Sequence, residues 1–410
     1  MAEGMMKTAT QEPEPEPKPK RLATLVGCNY AGTPHELRGC INDVHAMRDL
    51  LVARFGFAPA EITVLTDDAA PGAGNNKVLP TGANIKRALS DMVARAGDVL
   101  FFHYSGHGTL VPPVMPDHRG RHRDDEAIVP CDFNLITDVD FRRVVDRVPR
   151  GASFTIVSDS CHSGGLIDNE KEQIGPATVD DDDDLVAAAG SARPSRTTRA
   201  RFIPYAALVG HLAGASGLHA SRHAADHLLA LFGADASAKW WSHHNKHRHG
   251  HGHHGMDDDP SLSPDNDEGI LLSGCQTDET SADVVPEEEE DDDEGRRKEK
   301  KKACGAFSSA VQAVLAAHPA AMSNREVVRG ARAVLSEQGF DQHPCLYCSD
   351  GNADKPFLCQ QQGAAKEQED LCQKKKKERS RRTRIDEGRA CPMICDSACF
   401  SACVFLINYV

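Results

Sequence analysis

Apolar and polar residues alternate with two different periods over the first part of the chain. Short apolar runs rich in β-branched and aromatic side chains predict buried strands at Arg21–Cys28, Glu61–Thr66, Val99–Phe102, Ala127–Cys131 and Phe154–Val157. Longer segments with apolar residues three and four positions apart predict amphipathic helices over Ile41–Phe55, Gly82–Ala96 and Asp138–Val148. This alternation predicts a doubly wound α/β fold, with a mostly parallel central sheet flanked by helices.

The pattern changes after Gly175 and resumes at Gly269. Residues 176–264 hold an acidic run, a basic segment and a histidine-rich tract, which predicts a long, partly disordered linker with one or two helices over Phe202–Phe232. The elements predicted after Gly269 are a strand at Ile270–Cys275, helices at Ala306–Ala317 and from the Ser323 capping box to Gly339, and a strand at Cys345–Cys348.

Composition divides the chain into five parts. A disordered tail, 1–20, precedes a large region, 21–175, which the linker, 176–264, joins to a small region, 265–359. The small region carries a charged insertion, 284–302, that predicts a solvated loop. A basic and cysteine-rich tail, 360–410, follows it, and no packed domain is predicted there.

Overall charge and hydropathy disfavour several classes of function. The 410 residues carry a net charge of −14, and a chain that is acidic overall is a poor nucleic-acid binder. No stretch is apolar for long enough to cross a membrane, and the N-terminal residues do not have the apolar core of a secretory signal. We therefore expect a cytoplasmic protein with reduced cysteines, with an acidic vacuole or the extracellular space reached by another route as the alternative.

Two predicted strands end just before reactive side chains. His107 follows the run that starts at Val99, and Cys161 follows the run that starts at Phe154. Because carboxyl ends of parallel strands meet at one edge of a sheet, the imidazole and the thiol are expected side by side. A histidine that takes the thiol proton makes a cysteine nucleophile. The N–H groups of Gly108 and Cys161 are candidates for an oxyanion hole.

Strand phase adds a candidate pocket for a cation. Side chains two positions apart point the same way, so Asp159 lies on the side of Cys161 and Ser105 on the side of His107. A buried carboxylate has to be paired, which favours a pocket that receives a cationic side chain. The alternative is an aspartate whose oxygens are satisfied by backbone amides.

Six stretches now give a family resemblance. They are GCNYAGTPHELRGCINDV, HYSGHGT, DEAIVPCDFNLITD, SDSCHSGGLID, SGCQTDETSAD and LYCSD, and they fall within 21–175 and 265–359. His107 also lies about 50 residues before Cys161, the separation found in caspases. The chain resembles a metacaspase, and more closely the type II metacaspases of plants, whose long linker separates the two matching regions.

The resemblance implies a caspase-like fold and a monomeric endopeptidase that cleaves protein substrates after arginine or lysine. It implies Cys161 as the nucleophile and His107 as the general acid and base. The matching positions for an acidic specificity pocket are Asp43, Ser105, Asp159 and Asp278, with Asp283 close behind the last. A role in programmed cell death or stress proteolysis also follows from the family.

The family further implies a zymogen that cleaves itself in the linker. Arg201 is the first candidate for that cleavage, with Arg199 and Arg196 next, because the segment is basic and composed of small residues. The alternative for any one of these arginines is that it only solvates the linker.

Calcium is where the sequence departs from much of the family. The loop after His107 offers Asp124, Asp125 and Glu126, to which Asp168 could add an oxygen, but cationic and imidazole side chains precede them. A hard cation requires six to eight oxygen ligands. We therefore expect no required cofactor and no calcium dependence, as in a metacaspase subgroup active at mildly acidic pH.

Of two rival classes of protein, one stays open and the other loses support. A catalytically silent caspase-fold scaffold, binding metal through its histidine-rich tract, His243–His254, is the alternative to an enzyme. A protease specific for aspartate would need a cationic pocket, and Asp159 has the wrong sign for that.

Overall fold

A computed structural model describes residues 19–68, 78–95, 97–113, 124–167, 170–175, 196–241, 269–276, 279–286 and 302–359. Its strands are β1 (Arg21–Gly27), β2 (Ile62–Thr66), β3 (Val99–Ser105), β4 (Gly108–Val111), β5 (Asp125–Ile128), β6 (Ile136–Thr137), β7 (Ser153–Asp159), β8 (Glu172–Ile174), β9 (Arg196–Ala200), β10 (Gly269–Ser273), β11 (Ala282–Pro286), β12 (Cys304–Gly305) and β13 (Cys345–Cys348). Its helices are α1 (Cys40–Phe55), α2 (Gly82–Ala94), α3 (Asp138–Val145), α4 (Tyr205–Ser216), α5 (Ala224–Phe232), α6 (Ala306–Ala317), α7 (Asn324–Glu337) and α8 (Asp350–Ala353).

Seven strands form the central sheet, in the order β2-β1-β3-β7-β10-β13-β8. The first five run parallel, and β13 is antiparallel to both of its neighbours. Two three-stranded sheets, β4-β5-β6 and β12-β11-β9, lie beside it. The prediction of a mostly parallel sheet flanked by helices is confirmed.

Helices cover both faces of the central sheet because its strands bury alternate residues on opposite sides. On β3, Leu100 and Phe102 join a cluster with residues of α2, α3, α4 and α5. Val99 and Phe101 face the other way and join a cluster with residues of α1, α6 and α7. Burial on both sides explains why the strands read as continuous apolar runs rather than alternating ones.

The linker contains two helices within the range Phe202–Phe232, where the sequence predicted one or two. Helices α4 and α5 lie within 176–264, and their residues Leu208, Leu212 and Leu228 are buried in the core. Trp240 is completely buried in the same cluster. Residues 176–195 and 242–268, including the histidine-rich tract, lie outside the described residues.

A few strand and helix boundaries differ from those predicted. Strand β5 starts at Asp125 and ends at Ile128, earlier than predicted, and α3 ends at Val145. Strand β11 includes 284–286, which the sequence placed in the charged loop, because β9 and β12 pair with it on both sides.

In the part of the chain that the structure describes, no helix is both long and apolar enough to cross a bilayer.

Candidate active site

The ends of two neighbouring strands place the reactive side chains. Strands β3 and β7 pair in parallel with Ser105 opposite Asp159. His107 and Cys161 follow this last pair at equivalent positions, and both are buried. The register therefore brings imidazole and thiol to the same edge of the sheet, where the sequence predicted them.

A main-chain carbonyl orients the His107 ring. Its Nε2 atom lies 2.8 Å from the His35 carbonyl oxygen. Because a carbonyl only accepts, Nε2 carries the proton and Nδ1 keeps the lone pair. Among the described residues, Nδ1 is buried and has no hydrogen-bond partner. Burial lowers the pKa of His107 to about 4, so the ring is neutral near pH 7 and can accept a proton.

An extended segment of the linker lies across this edge. Strand β9 pairs antiparallel with β11, from Arg196 opposite Pro286 to Ala200 opposite Ala282. The next residue, Arg201, continues the pairing by donating its N–H to the Ser281 carbonyl at 2.9 Å. Addition of a strand to an existing edge is a common way for proteins to bind an extended peptide.

Two N–H groups converge on the carbonyl oxygen of Arg201. Gly108 N–H donates to it at 2.9 Å and Cys161 N–H at 3.3 Å. A side chain at Gly108 would overlap the backbone carbonyl of Cys161, so only glycine allows the two segments to approach this closely. The pair predicted as an oxyanion hole therefore holds the carbonyl of the Arg201–Phe202 peptide bond.

The Arg201 side chain is fully buried in an acidic pocket. Its Nη2 lies 2.9 Å from Asp43 Oδ2 and 3.0 Å from Asp283 Oδ1. Its Nη1 lies 3.3 Å from Asp159 Oδ2 and donates to Ser105 Oγ at 2.8 Å. Burial alone would lower the pKa of Arg201, but the carboxylates, led by Asp159, hold it well above its ordinary value.

The pocket carboxylates are fixed by groups other than the arginine. Asp43 accepts the Gly305 N–H and the Ser105 hydroxyl. Asp159 Oδ2 accepts the Ser308 N–H at 2.7 Å, and Asp283 accepts the N–H groups of Arg38 and Gly39. Burial raises the pKa of Asp43 to about 6, against the opposing effect of Arg201. Three carboxylates facing one guanidinium form a site that is specific for a cation.

Comparison with known proteins identifies the architecture. The model of the family described as "Metacaspase, peptidase C14 domain" matches residues 20–170. Metacaspase-9 of Arabidopsis thaliana is 49% identical over 358 residues, which cover 83% of this chain and 97% of that protein. The chain belongs to the metacaspase family. It is a cysteine-type endopeptidase of the caspase-like group, and that membership favours an enzyme over a silent scaffold.

A second curated relative also belongs to this family. Metacaspase-4 of Arabidopsis thaliana is 36% identical over 433 residues, covering 82% of this chain and 99% of that protein. A solved Geobacter sulfurreducens protein overlaps with a TM-score of 0.44 at 18% identity, covering 83% of this chain and 98% of the other, which is too weak a similarity to support any conclusion.

In this metacaspase the sequence-predicted pocket residues Asp43, Ser105 and Asp159 converge on one guanidinium. Asp278 lies outside the described residues, and the third carboxylate on Arg201 belongs to Asp283. Sequence reasoning also missed Gly305, where a side chain would overlap both the Asp159 carboxylate and the Arg201 guanidinium. The available signal for Asp283 was its own position as a charged residue within the otherwise apolar β11. No local feature of the sequence marks Gly305.

The other candidate cleavage arginines lie outside the pocket of this metacaspase. Arg199 Nη1 donates to the Glu36 carbonyl at 2.9 Å. The Arg196 guanidinium lies 3.8 Å from the centre of the Phe340 ring. Of the three arginines, Arg201 alone has its carbonyl on the Gly108 and Cys161 N–H groups.

Two of the four weak calcium candidates of this metacaspase, Asp125 and Glu126, are already engaged. Lys239 Nζ lies 2.8 Å from Asp125 and 2.7 Å from Asp138, and Glu126 accepts the Gly165 N–H. Asp124 is exposed, and Asp168 lies outside the described residues. Within the described ranges, no group of three or more His, Cys, Asp or Glu side chains could hold a metal.

Proposed function

We propose that this metacaspase is made as a single-chain precursor that cleaves itself between Arg201 and Phe202. The mature enzyme then cleaves protein substrates after arginine, and less efficiently after lysine. One observation carries the proposal: the Arg201 guanidinium occupies the acidic pocket while its carbonyl accepts two N–H groups beside the nucleophile. The segment therefore has the arrangement of a bound substrate.

The chemistry follows from these positions. Nδ1 of His107 takes the thiol proton, and the Cys161 sulfur attacks the Arg201 carbonyl carbon. The developing oxyanion stays on the N–H groups of Gly108 and Cys161, each of which is worth about 10²–10³ in rate. His107 then protonates the Phe202 amine, which leaves, and water hydrolyses the thioester to free Cys161.

The preference for arginine over lysine has a geometric reason. The guanidinium places two nitrogens on three carboxylates and one hydroxyl at once. An ammonium group is a single point that cannot contact all of them, and a neutral or acidic side chain would leave buried carboxylates unpaired.

We also propose that activity does not require calcium and that the enzyme is a monomer. The ion pairs of Lys239 with Asp125 and Asp138 support the first part, because a calcium ion would have to displace that ammonium. A role in cell death or stress proteolysis remains part of the proposal on family grounds, and a cytoplasmic location remains part of it on the sequence pattern.

Mass spectrometry of the full-length protein tests the proposal. We expect the wild type to yield a fragment that begins at Phe202, and Cys161→Ala to remain intact. Arg201→Gln should abolish this cleavage, whereas the matched variant Arg199→Gln should retain it. Fluorogenic peptides ending in Arg, Lys or Asp, assayed with calcium or a chelator from pH 5 to pH 8, test the mature enzyme.

Processing at another arginine would contradict the assignment of Arg201, and cleavage only with calcium would contradict the cofactor proposal. No self-processing, together with no cleavage of any peptide even after another protease has nicked the linker, would return the scaffold as the better explanation.

A further inference from the structure

A second cationic side chain of the linker segment is bound at the far end of β9. The Arg196 guanidinium lies over the Phe340 ring, 3.8 Å from its centre. Its Nη2 donates to the Gln338 carbonyl oxygen at 2.6 Å. Arg196 therefore makes an aromatic contact and a charge-assisted hydrogen bond with one short stretch of chain.

The end of helix α7 builds this stretch. Gly339 adopts a left-handed conformation, with φ of +75°. Its N–H donates to the Ser336 carbonyl, and the Phe340 N–H donates to the Leu335 carbonyl, both at 2.9 Å. This is a Schellman motif, which fixes the residue after the glycine against the helix. Phe340 is half-buried and packs against the core.

The same motif leaves a carbonyl for a ligand. The two bonds satisfy the carbonyls of Leu335 and Ser336, whereas the carbonyl of the capping residue Gln338 accepts from Arg196. Carbonyls at a helix C-terminus carry partial negative charge, which favours a cation. A planar guanidinium also stacks on an aromatic ring better than an ammonium does.

Strand pairing fixes the spacing between the two bound arginines. Arg196 lies opposite Pro286 and Ala200 opposite Ala282, with Arg201 next. Five residues of extended chain span about 16 Å. Any extended peptide that pairs with β11 in the same register brings its residue at this position to Phe340.

We propose that Phe340 and the Gln338 carbonyl form a distal cation subsite, which selects protein substrates carrying arginine five positions before the cleaved residue. The inference rests on the proposed function, because it treats β9 as the image of a bound substrate. It names a substrate class with two cationic side chains at fixed spacing, one in the acidic pocket and one on the aromatic ring.

Arg199 provides the internal comparison. It contacts the Glu36 carbonyl and is exposed. A preference from the distal subsite should therefore exceed any preference two positions before the cleaved residue.

Paired peptides test the subsite with the self-processed full-length enzyme. Two long fluorogenic peptides differ only in arginine or citrulline five positions before the cleaved arginine, since citrulline keeps the shape and removes the charge. A four-residue peptide ending in arginine serves as the short reporter. We expect kcat/KM to be about fivefold higher for the arginine peptide. This ratio corresponds to the free energy expected of one partly exposed cation–π contact and its hydrogen bond. The difference should lie in KM, because this contact does not change during the reaction.

Phe340→Leu should reduce that ratio to about twofold or less, since it keeps an apolar side chain but removes the aromatic face. Trp241→Leu is the matched control, because Trp241 is an exposed aromatic residue whose indole donates to the Gly233 carbonyl. The control should keep the full ratio.

The outcomes separate the two levels of the proposal. Failure to cleave the short reporter would overturn the proposed function together with the subsite. Cleavage of the reporter with equal kcat/KM for the two long peptides would overturn the subsite alone. This comparison changes only the substrate, so it stays decisive even if Phe340→Leu does not fold. A ratio that persists in Phe340→Leu would assign the preference elsewhere and overturn the role of the ring.

Discussion

Removal of the Arg201 charge should destabilise the precursor strongly. In Arg201→Gln, made in a Cys161→Ala background so that no chain is cleaved, three buried carboxylates lose their cation. Asp43 is 2% exposed, and Asp159 and Asp283 are completely buried. Breaking a buried ion pair on one side costs about 3–5 kcal/mol. We expect the free energy of unfolding at pH 8 to fall by about 4 kcal/mol.

The loss should shrink in acid. Burial raises the pKa of Asp43 to about 6 even with Arg201 present, and removal of the cation raises it further. A carboxyl whose pKa is higher folded than unfolded binds more protons when folded, so its penalty disappears as pH falls through the folded value. Each pKa unit by which the substitution raises the Asp43 value above about 6 should return about 1.4 kcal/mol of the loss between pH 8 and pH 5.

Urea unfolding followed by circular dichroism at both pH values measures these differences. The matched control is Arg199→Gln, since Arg199 is exposed, and it should stay within about 0.5 kcal/mol of the parent. A loss below about 1 kcal/mol at pH 8, within the range of many surface substitutions, would refute the reasoning. So would a loss that grows toward pH 5.

Three further predictions concern the pocket, the linker and the base. Gly305→Ala places a methyl group on the pocket, and overpacking of about 1–3 kcal/mol should raise KM for arginine peptides about 5- to 150-fold. An unchanged KM would contradict the role of Gly305 as the pocket wall. Trp240→Ala should lower the free energy of unfolding by about 3–5 kcal/mol in urea titrations, whereas exposed Trp241→Ala should not. Burial lowers the pKa of His107 to about 4, so self-cleavage should persist at pH 5 and fall only below about pH 4. Gels of freshly translated precursor follow this cleavage, and a loss of cleavage already near pH 6.5 would contradict the prediction.

The local sequence pattern was sufficient to predict the half of the site that the strand ends supply. His107 and Cys161 follow apolar runs, and the two-residue period of a strand placed Asp159 and Ser105 beside them. These features depend on neighbours within a few positions, so the chain reveals them before it folds. The two N–H groups of the oxyanion hole follow from the same strand ends.

Family resemblance added Asp43 and the linker arginines, with Arg201 ranked first. Arg196, Arg199 and Arg201 share the same basic segment, so composition gives no physical reason for that order. The register of β9 on β11 decides which one enters the acidic pocket.

Tertiary structure alone decided the remaining parts. Asp283 reaches the pocket from a strand far along the chain, Gly305 leaves space for the guanidinium, and Phe340 is placed by a helix end. Trp240 is buried only because linker helices pack on the large region. Each of these roles depends on what another segment brings within a few ångströms. Contacts between distant segments leave no periodic pattern in the sequence. A buried strand does leave one, and its end locates the reactive residue that follows it.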